Sequence, residues 1–538
     1  MAVLCPVEYI QLELGDNMQL PKELGSLADL KRREAKAFEN AMMWHDTLDD
    51  VYEFFLPNRN LFDTNRRGQK KMERIFDSTA LEAIQQGASK LQENIAPIWS
   101  RWATFAPSDQ VIEMLETGDY GVTEQEIRDN LEKQAVIIFD YINRSNFATQ
   151  FYEHALDLLV GTGSLRIDEN DDDNMPLIFN AIPQKGIAFE EGPYGSIETH
   201  WRRFTVKARN LERQWRGFKP SEKIKNVIKN SPDKDVEISE GVVYMPKSKT
   251  YYGCVWVKDE DSISWMEDYG TSSPWLTGRY SKVSGEIRGR GPALQALPDV
   301  RSLNKAKEFV LQKAAIDLAG MYTATDDGVT NPYNISISPG IVIPVGSNNS
   351  ANPSIQRLDT GSNLSLAQFE INELQTAIKR ALFNDLRDPN GAVRSATEVA
   401  IESRELAKRI GSAFGRLQTE VLIPIIKRVT AILTRRGLIT PIQLDNKDID
   451  IKFLSPLAKA QDGEDLMSVQ QAVAFVLQTA GPDQAKIAFK LEDFGTWAGG
   501  KTGMPAELMR SETEKQQIIQ AGAQAAQAGM ATSQAPAQ

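Results

Sequence analysis

Cysteine is nearly absent: Cys5 and Cys254 are the only two in 538 residues, too few for a disulfide framework and in keeping with a reducing compartment. No run of about eighteen apolar residues occurs, so nothing reads as a membrane span. The first sixteen residues mix Glu8, Glu13 and Asp16 among apolar side chains, unlike a targeting signal, and the chain is expected to stay in the cytoplasm where it is made. Histidine is scarce too. His45, His154 and His200 stand far apart, with no HxxxH or CxxC spacing and no GxSxG elbow, so zinc and hydrolase chemistry have little to draw on. We expect no enzymatic activity, no metal and no cofactor. Positive charge is in deficit as well. With 61 Lys and Arg against 73 Asp and Glu the formal charge is −12, which argues against wrapping nucleic acid tightly, because phosphate affinity comes from many neutralising cations.

What is present is a long chain of ordinary globular composition, 41% hydrophobic and 25% charged, with length for about three or four domains. Residues 1–160 read as mostly helical. Ser26 to Phe54 has amphipathic spacing, Thr79 and Glu82 form a capping box ahead of Ile84, Ala88, Leu91 and Ile95, and IAPIWSRWATF turns from that helix into an aromatic strand or loop. Thr123 to Val160 reads as two more helices. From Ser164 to about Lys282 the alternation is strand-like, with one helical interruption at Val206 to Phe218. A helix then spans about Pro292 to Gly320, short strands and loops fill Met321 to Gly361, and a second helix spans Asn363 to Asp385. After Pro441 a strand pattern leads to helices between Gly463 and Gln520 and a low-complexity tail. The fold class is α+β, predominantly helical.

Arg387 to Thr440 is the most distinctive stretch. RDPNGAVR places Arg387 and Arg394 around the turn-forming Pro389, Asn390 and Gly391, and Ser395 with Glu398 caps a continuous helical pattern. Apolar residues recur from Val399 through Leu406, Ile410, Phe414, Leu417, Val421 and Ile425 to Ile432, one face of a helix roughly 60 Å long. Pro424, with Gly411 and Gly415 before it, predicts a kink, and Gly437 predicts the end. From Glu286 to Arg436 there are 19 basic and 15 acidic residues, a net of +4 within an acidic protein.

Several motifs weigh against their chemistry. GTWAGGKT at Gly495 to Thr502 matches the P-loop pattern letter for letter. Gly503 and Pro505 interrupt the helix it needs, however, and only 36 residues follow, so a glycine-rich connector is the better reading. DENDDD at Asp168 to Asp173 lacks the glycine and closing Glu of a calcium loop and reads as a solvated turn. The cluster Arg66, Arg67, Lys70, Lys71 and Arg74 reads as a solvated linker. Arg301, Lys305 and Lys313 lie among Glu308 and Asp317, as in ordinary helix-surface pairing. Arg387 and Arg394, at the tip of a loop, are the stronger candidates for nucleic-acid contact.

Four stretches carry a resemblance to a known family. IFDSTALEAIQQGASKLQENIAPIWSRW (75–102), GTGSLRID (161–168), GEIRGRGPALQALPDVRSLNKAKE (285–308) and RDPNGAVRSATEVAIESRELAKRIGSAFGRLQTEVLIPIIKRV (387–429) resemble the portal proteins, or head-to-tail connectors, of short-tailed bacteriophages. The family has YGRGP where this chain has IRGRGP, and a threonine where it has Ser395. The resemblance implies a ring of twelve copies at one capsid vertex of the virion, assembled in the host cytoplasm, through which double-stranded DNA is packaged and ejected without sequence specificity. It implies a wing at 1–285 (helical to 160, strand-rich from 161), stem helices at 286–320 and 363–386 and a clip at 321–362. A tunnel loop at 387–395, a long kinked wing helix with its return strand at 396–460, a crown at 461–520 and a flexible tail at 521–538 complete it. Implied partners are the terminase large subunit, the major capsid and scaffolding proteins, and a tail adaptor, with no membrane. Arg387, Asn390 and Arg394 would contact DNA, with Arg301, Lys305 and Lys313 as possible stem contacts. The rival readings are another virion protein, such as a tail adaptor or internal core protein, and a P-loop NTPase.

Overall fold

The computed structural model describes residues 20–59, 74–108, 110–113, 124–172, 174–319, 322–324, 348–349, 351–353, 355–357, 364–384, 409–411, 413–440, 449–454 and 469–479, with 481, 484, 489 and 494. The chain divides into two units. One comprises Met1–Thr47, Gln86–Gly291 and Arg387–Gln538, the other Leu48–Gln85 and Pro292–Leu386.

In the first unit, α1 (Leu27–Met42) is capped by Ser26, whose hydroxyl accepts from the Asp29 N–H while the Asp29 carboxylate accepts from the Ser26 N–H. Helices α4 (Glu124–Arg144) and α5 (Phe147–Val160) follow the short β1 (Ala103–Pro107). β2 (Thr162–Glu169), β3 (Leu177–Ile182) and β9 (Trp275–Arg279) form a three-stranded antiparallel sheet with β2 in the middle. Between them β4 (Ile187–Glu191), β5 (Ile197–Lys207), β6 (Asp235–Met245), β7 (Thr250–Val257) and β8 (Trp265–Gly270) form a five-stranded antiparallel meander.

Side-chain alternation assigns the two faces of that meander. Ala188, Trp201, Val243, Cys254, Trp256 and Met266 bury against Leu30, Phe38 and Ala41 of α1. Their neighbours Ile187, Phe189, Val242, Val255 and Val257 point the other way, into a core with Leu211, Trp215, Phe218 and Ile224. Those last four belong to an excursion between β5 and β6 that contains α6 (Leu211–Gln214) and α7 (Glu222–Asn230), the latter capped by Ser221. The helical interruption predicted at Val206–Phe218 is therefore only four residues of α-helix, and α7, which the sequence reading did not place, lies beyond it. Its apolar stripe of Ile224, Val227 and Ile228 is too short among lysines to stand out.

Two glycine-rich motifs meet backbone to backbone. A Cβ on Gly289 would sit 2.4 Å from the Gly161 carbonyl oxygen, one on Gly161 2.2 Å from that of Gly289, and one on Gly291 2.1 Å from that of Leu159. The closeness allows Tyr280 N–H to reach Gly161 O (2.9 Å) and Gly291 N–H to reach Val160 O (3.0 Å). Arg288, next to Gly289, is buried, donating to Gln184 Oε1 (2.7 Å) and to the Ile187 carbonyl (2.9 Å). The glycines of GTG and IRGRGP are thus packing requirements.

The second unit is built on α8 (Pro292–Ala319) and α9 (Leu364–Ala381), which pack together. β10 (Tyr322–Ala324) pairs antiparallel with β13 (Ile355–Arg357), just past the end of α8 and just before α9, so the helices run antiparallel. Asp77 bridges the two helices further along, accepting from Gln375 (2.8 Å) with Lys307 at 3.8 Å. A two-residue pairing of β11 (Asn348–Asn349) with β12 (Asn352–Pro353) is the rest of what is described between the helices.

Helix exceeds strand among the described residues, as an α+β reading predicts. The amphipathic stretch Ser26 to Phe54 forms two helices, α1 and α2 (His45–Phe55), separated at Met43 and Trp44. Other expectations need correction. The Thr79–Glu82 capping box does not form. Thr79 is already the first residue of α3 (Thr79–Ile95), its N–H going to Asp77 Oδ1 (2.9 Å), and Glu82 accepts from the Ser78 hydroxyl (3.0 Å). Residues 48–85 cluster with 292–386 rather than with the rest of the first 160. The expected clip and crown lie largely outside the described residues and the tail wholly so; within the crown range, the described residues 469–479 are helical.

Gly289→Ala should destabilise the protein by about 2–3 kcal/mol, because both clashing partners are backbone. Gly411→Ala, at a helical position with nothing within 4 Å, should stabilise it by about 0.5–1 kcal/mol. Urea midpoints of the two variants check the pair. Equal midpoints would remove the crossing as a packing constraint.

Candidate functional site

The loop carrying Arg387, Asn390 and Arg394 lies outside the described residues, and its two flanks are the nearest structure. Upstream, α9 ends in a Schellman turn. Phe383 N–H bonds Arg380 O (3.2 Å) and Asn384 N–H bonds Lys379 O (2.7 Å), with Phe383 at φ +60. A phenylalanine in that left-handed conformation is strained by about 1 kcal/mol, and its burial to 7% exposure supplies the compensation.

Downstream, the helical residues 409–411 and 413–417 run into a π turn at Gln418–Leu422 and then α10 (Ile423–Arg435). The expected kink at Pro424 takes this form: Ile423 N–H reaches back five residues to Gln418 O. Pro424 lacks an N–H, and its ring conflicts with the carbonyl four residues earlier, that of Glu420, so the ladder opens there. Gly437, at φ +70, closes the helix, with Leu438 N–H bonding Leu433 O (3.0 Å), as predicted.

The π turn delivers Glu420 to Arg279, the last residue of β9, which is 2% exposed. Arg279 donates from Nη2 to Glu420 Oε1 (2.5 Å), from Nε to both carboxylate oxygens (3.1 and 3.3 Å), and from its backbone N–H to Oε2 (2.9 Å). Its Nη1 reaches Glu191 Oε1 (3.2 Å) and its Nη2 the Gly195 carbonyl (2.8 Å), while Lys282 pairs with Glu191 as well. Burial pushes the Glu191 carboxyl up, but Lys282 and Arg279 outweigh it and hold the group below its ordinary value. Gly278 leaves room for the turn: a Cβ there would stand 2.4 Å from Val421 Cγ2.

Further along the helix, Arg428 is 2% exposed, stacked 4.9 Å from the Tyr269 ring centroid with Nε 3.4 Å from Ile167 O. Arg436 donates to Glu169 (2.7 Å) and Arg435 lies 3.5 Å from Glu267. The chain then returns as β14 (Ile449–Phe453), antiparallel to β1. Behind β9, His200 Nε2 and Thr277 Oγ1 share a hydrogen bond (3.0 Å), and burial lowers the His200 pKa to about 3, so the ring is neutral.

The stem candidates sit on α8. Arg301 pairs with Asp50 (2.5 Å), Lys305 with Glu308 (2.8 Å) while lying 4.8 Å from the Phe309 ring centroid, and Lys313 is half-buried. The structure therefore brings Arg301 and Lys305 into surface ion pairs. In the DENDDD turn, Asp168 binds Arg166 (2.7 Å) and Asp171 binds Arg216 (2.8 Å). No group of three His, Cys, Asp or Glu among the described residues is placed to hold a metal. GTWAGGKT and the 66–71 basic cluster fall outside the described residues. One feature the sequence reading missed is the end of β5 together with the excursion to β6, residues 202–234, with eleven Lys and Arg against three acidic residues. A running charge count would have found it.

Comparison with known proteins gives a consistent picture. A family model described as bacteriophage head to tail connecting protein matches residues 27–509. The portal protein of Salmonella phage epsilon15 is 24% identical over 559 residues, covering 96% of this chain and 93% of that one. The probable portal protein of Bordetella phage BPP-1 is 22% identical over 461 residues, covering 81% and 80%. A solved structure, the virion of a native gene transfer agent particle, matches at 13% identity over 75% of this chain and 90% of that one, with a TM-score of 0.29, too low to support a statement about fold.

Glu420→Ala should cost about 3 kcal/mol, since it strips the main partner from a buried guanidinium, and Glu420→Gln should cost less because one acceptor remains. Acid should weaken the same region. Glu191 has a depressed pKa, so its contribution is complete above the ordinary 4.5 and is lost as pH falls through the lower folded value. His200 acts in the same direction from a higher pH, because the unfolded chain takes up its proton near 6.5 and the folded chain only near 3. Thermal midpoints from pH 7 to pH 3 should fall monotonically. Replacing His200 with Asn should flatten the upper part of that fall, and an unchanged profile would count against the assignment.

Proposed function

The chain belongs to the family of bacteriophage head to tail connecting proteins, and from that premise we propose that copies of it form a ring of twelve at one capsid vertex through which double-stranded DNA is packaged and ejected. As a connector it is a structural, non-enzymatic component of the phage virion. The observation that carries the proposal is the family match over residues 27–509, which encloses the whole order of helix, strand pairs, helix, arginine loop and clasped helix.

In this reading α8 and α9 are the stem, 321–362 is the clip that meets the terminase large subunit and later the tail adaptor, and 461–520 is the crown. Capsid and scaffolding proteins are further partners of the ring. The loop at 387–395 faces the DNA. A conduit has to let DNA slide, and duplex DNA carries a charge about every 1.7 Å, so a wall dense in fixed cations would grip it through counterion release. Rings of Arg387 and Arg394, with Asn390 between, supply a few sequence-independent phosphate contacts instead. Arg301 and Lys305, held in exposed ion pairs worth about 0–1 kcal/mol, can exchange carboxylate for phosphate at little cost. The clasp at Arg279 supports the loop's role because it fixes the helix downstream of it.

Electron-microscope class averages of the purified protein should show rings with an open centre and about twelve-fold symmetry. Deleting Pro389 to Val393 should leave those rings intact while reducing packaged or retained DNA in assembled particles. Loss of rings in the deletion variant would make the loop structural and refute its assignment.

A further inference from the structure

The end of β5 and the excursion that leads from it to β6, residues 202–234, form a strongly basic segment. Its net charge of +8 over residues 202–234 leaves −20 for the rest of the chain. Ten of its eleven cations are exposed, Arg202 being half-buried over the Phe204 ring. Some are neutralised: Arg203 pairs with Glu34, Arg209 with Asp233, Arg216 with Asp171 and Lys225 with Glu222. Arg213, Lys219, Lys223, Lys229 and Lys234 have no ion-pair partner among the described residues. The nearby acids are engaged elsewhere. Glu260 accepts from Ser221, and Asp261 pairs with Lys31 (2.9 Å).

These cations stand on a fixed platform. Trp215, Phe218 and Ile224 anchor the excursion in the core, and backbone bonds from Ala208 to Lys234 (2.9 Å), Arg209 to Pro232 (3.0 Å) and Lys219 to Ser264 (2.7 Å) close its base. Solubility does not explain them. An acidic protein is already kept apart from its neighbours by negative charge, and clustering five unpaired like charges adds local repulsion. Nor does the surface suit a protein partner. No large apolar side chain in residues 202–234 is exposed, whereas protein interfaces are centred on aromatic and aliphatic anchors. Cations without apolar anchors match a polyphosphate backbone, and lysines, as point charges on flexible stems, suit contacts that carry no sequence information.

We propose that Arg213, Lys219, Lys223, Lys229 and Lys234 form a second contact surface for the phosphate backbone of duplex DNA, separate from the 387–395 loop. The choice of duplex DNA over other polyphosphates rests on the connector reading above. The surface itself rests on the charge and exposure of these side chains.

The test is salt-dependent binding of the full-length protein to a long random-sequence DNA duplex, with polyglutamate as competitor. Replacing all five residues with Gln should reduce the slope of log K against log salt by about 4.5, equivalent to about 500-fold in affinity between about 50 and about 200 mM salt. A variant keeping the charges (Arg213→Lys with the four lysines changed to Arg) should bind as the parent does. In parallel, Arg387→Gln with Arg394→Gln should lower the slope by about 2, so each surface is scored separately. An unchanged slope in the five-site variant overturns the proposal and leaves the loop reading standing. Loss in the loop variant alone, or displacement of DNA by polyglutamate, also overturns it, the latter in favour of an acidic protein partner.

Discussion

A buried guanidinium ties together segments far apart in the chain. Arg279 ends β9, is closed off from water, and is satisfied by Glu420, Glu191 and the Gly195 carbonyl. Its charge would be expensive to bury alone, so those partners are obligatory. That requirement decides which helical residue must face β9, and the π turn at Gln418–Leu422 is the local distortion that puts Glu420 there. Taking the extra residue out of that turn would rotate the helical residues just upstream of it, 413–417, by about 100°, the angle per residue of a helix. The loop that begins at Arg387 is therefore tied downstream to a helix whose register is set by one arginine.

Much of the fold was legible because it repeats at periods sequence can express. α8 and α9 match the stretches read from Pro292 and from Asn363, and the strand alternation from Ser164 onward corresponds to β2 through β9. Gly437 was read correctly as a stop because left-handed backbone after a helix favours glycine. What escaped is set by tertiary contact. Pro424 predicts a disturbance, but whether it becomes a bend or a π turn depends on Arg279, some 140 residues upstream. The break at Met43 and Trp44 has no turn residue to announce it. The start of α3 moved because Asp77 and Ser78 offered alternative caps to Thr79.

Glycine meaning divided in the same way. Gly161, Gly289 and Gly291 appeared in the sequence as a family pattern without a cause, and the cause is backbone contact between two distant motifs. Arg288, immediately before the first glycine of the second motif, bonds the chain near β4. A pattern of small residues thus encodes a crossing, and the arginines beside it encode what the crossing holds.

The candidate site was legible only in outline, because charge counting treats all cations alike and the structure does not. Arginine has a planar fork of donors and can satisfy itself in the interior, whereas lysine keeps its ammonium in water. Accordingly Arg166, Arg279, Arg288 and Arg428 are buried. Within the +4 stretch from Glu286 to Arg436, Arg288 and Arg428 serve the core, and Arg290, Arg301, Lys305, Lys307, Arg435 and Arg436 are paired with carboxylates. Much of that basic excess is therefore committed to the protein's own acids. The lysine-rich excursion after β5 is the opposite case: a modest-looking segment whose cations remain exposed and largely unpaired. Arginine content read from sequence therefore overstates the number of cations free at the surface where a core is being built.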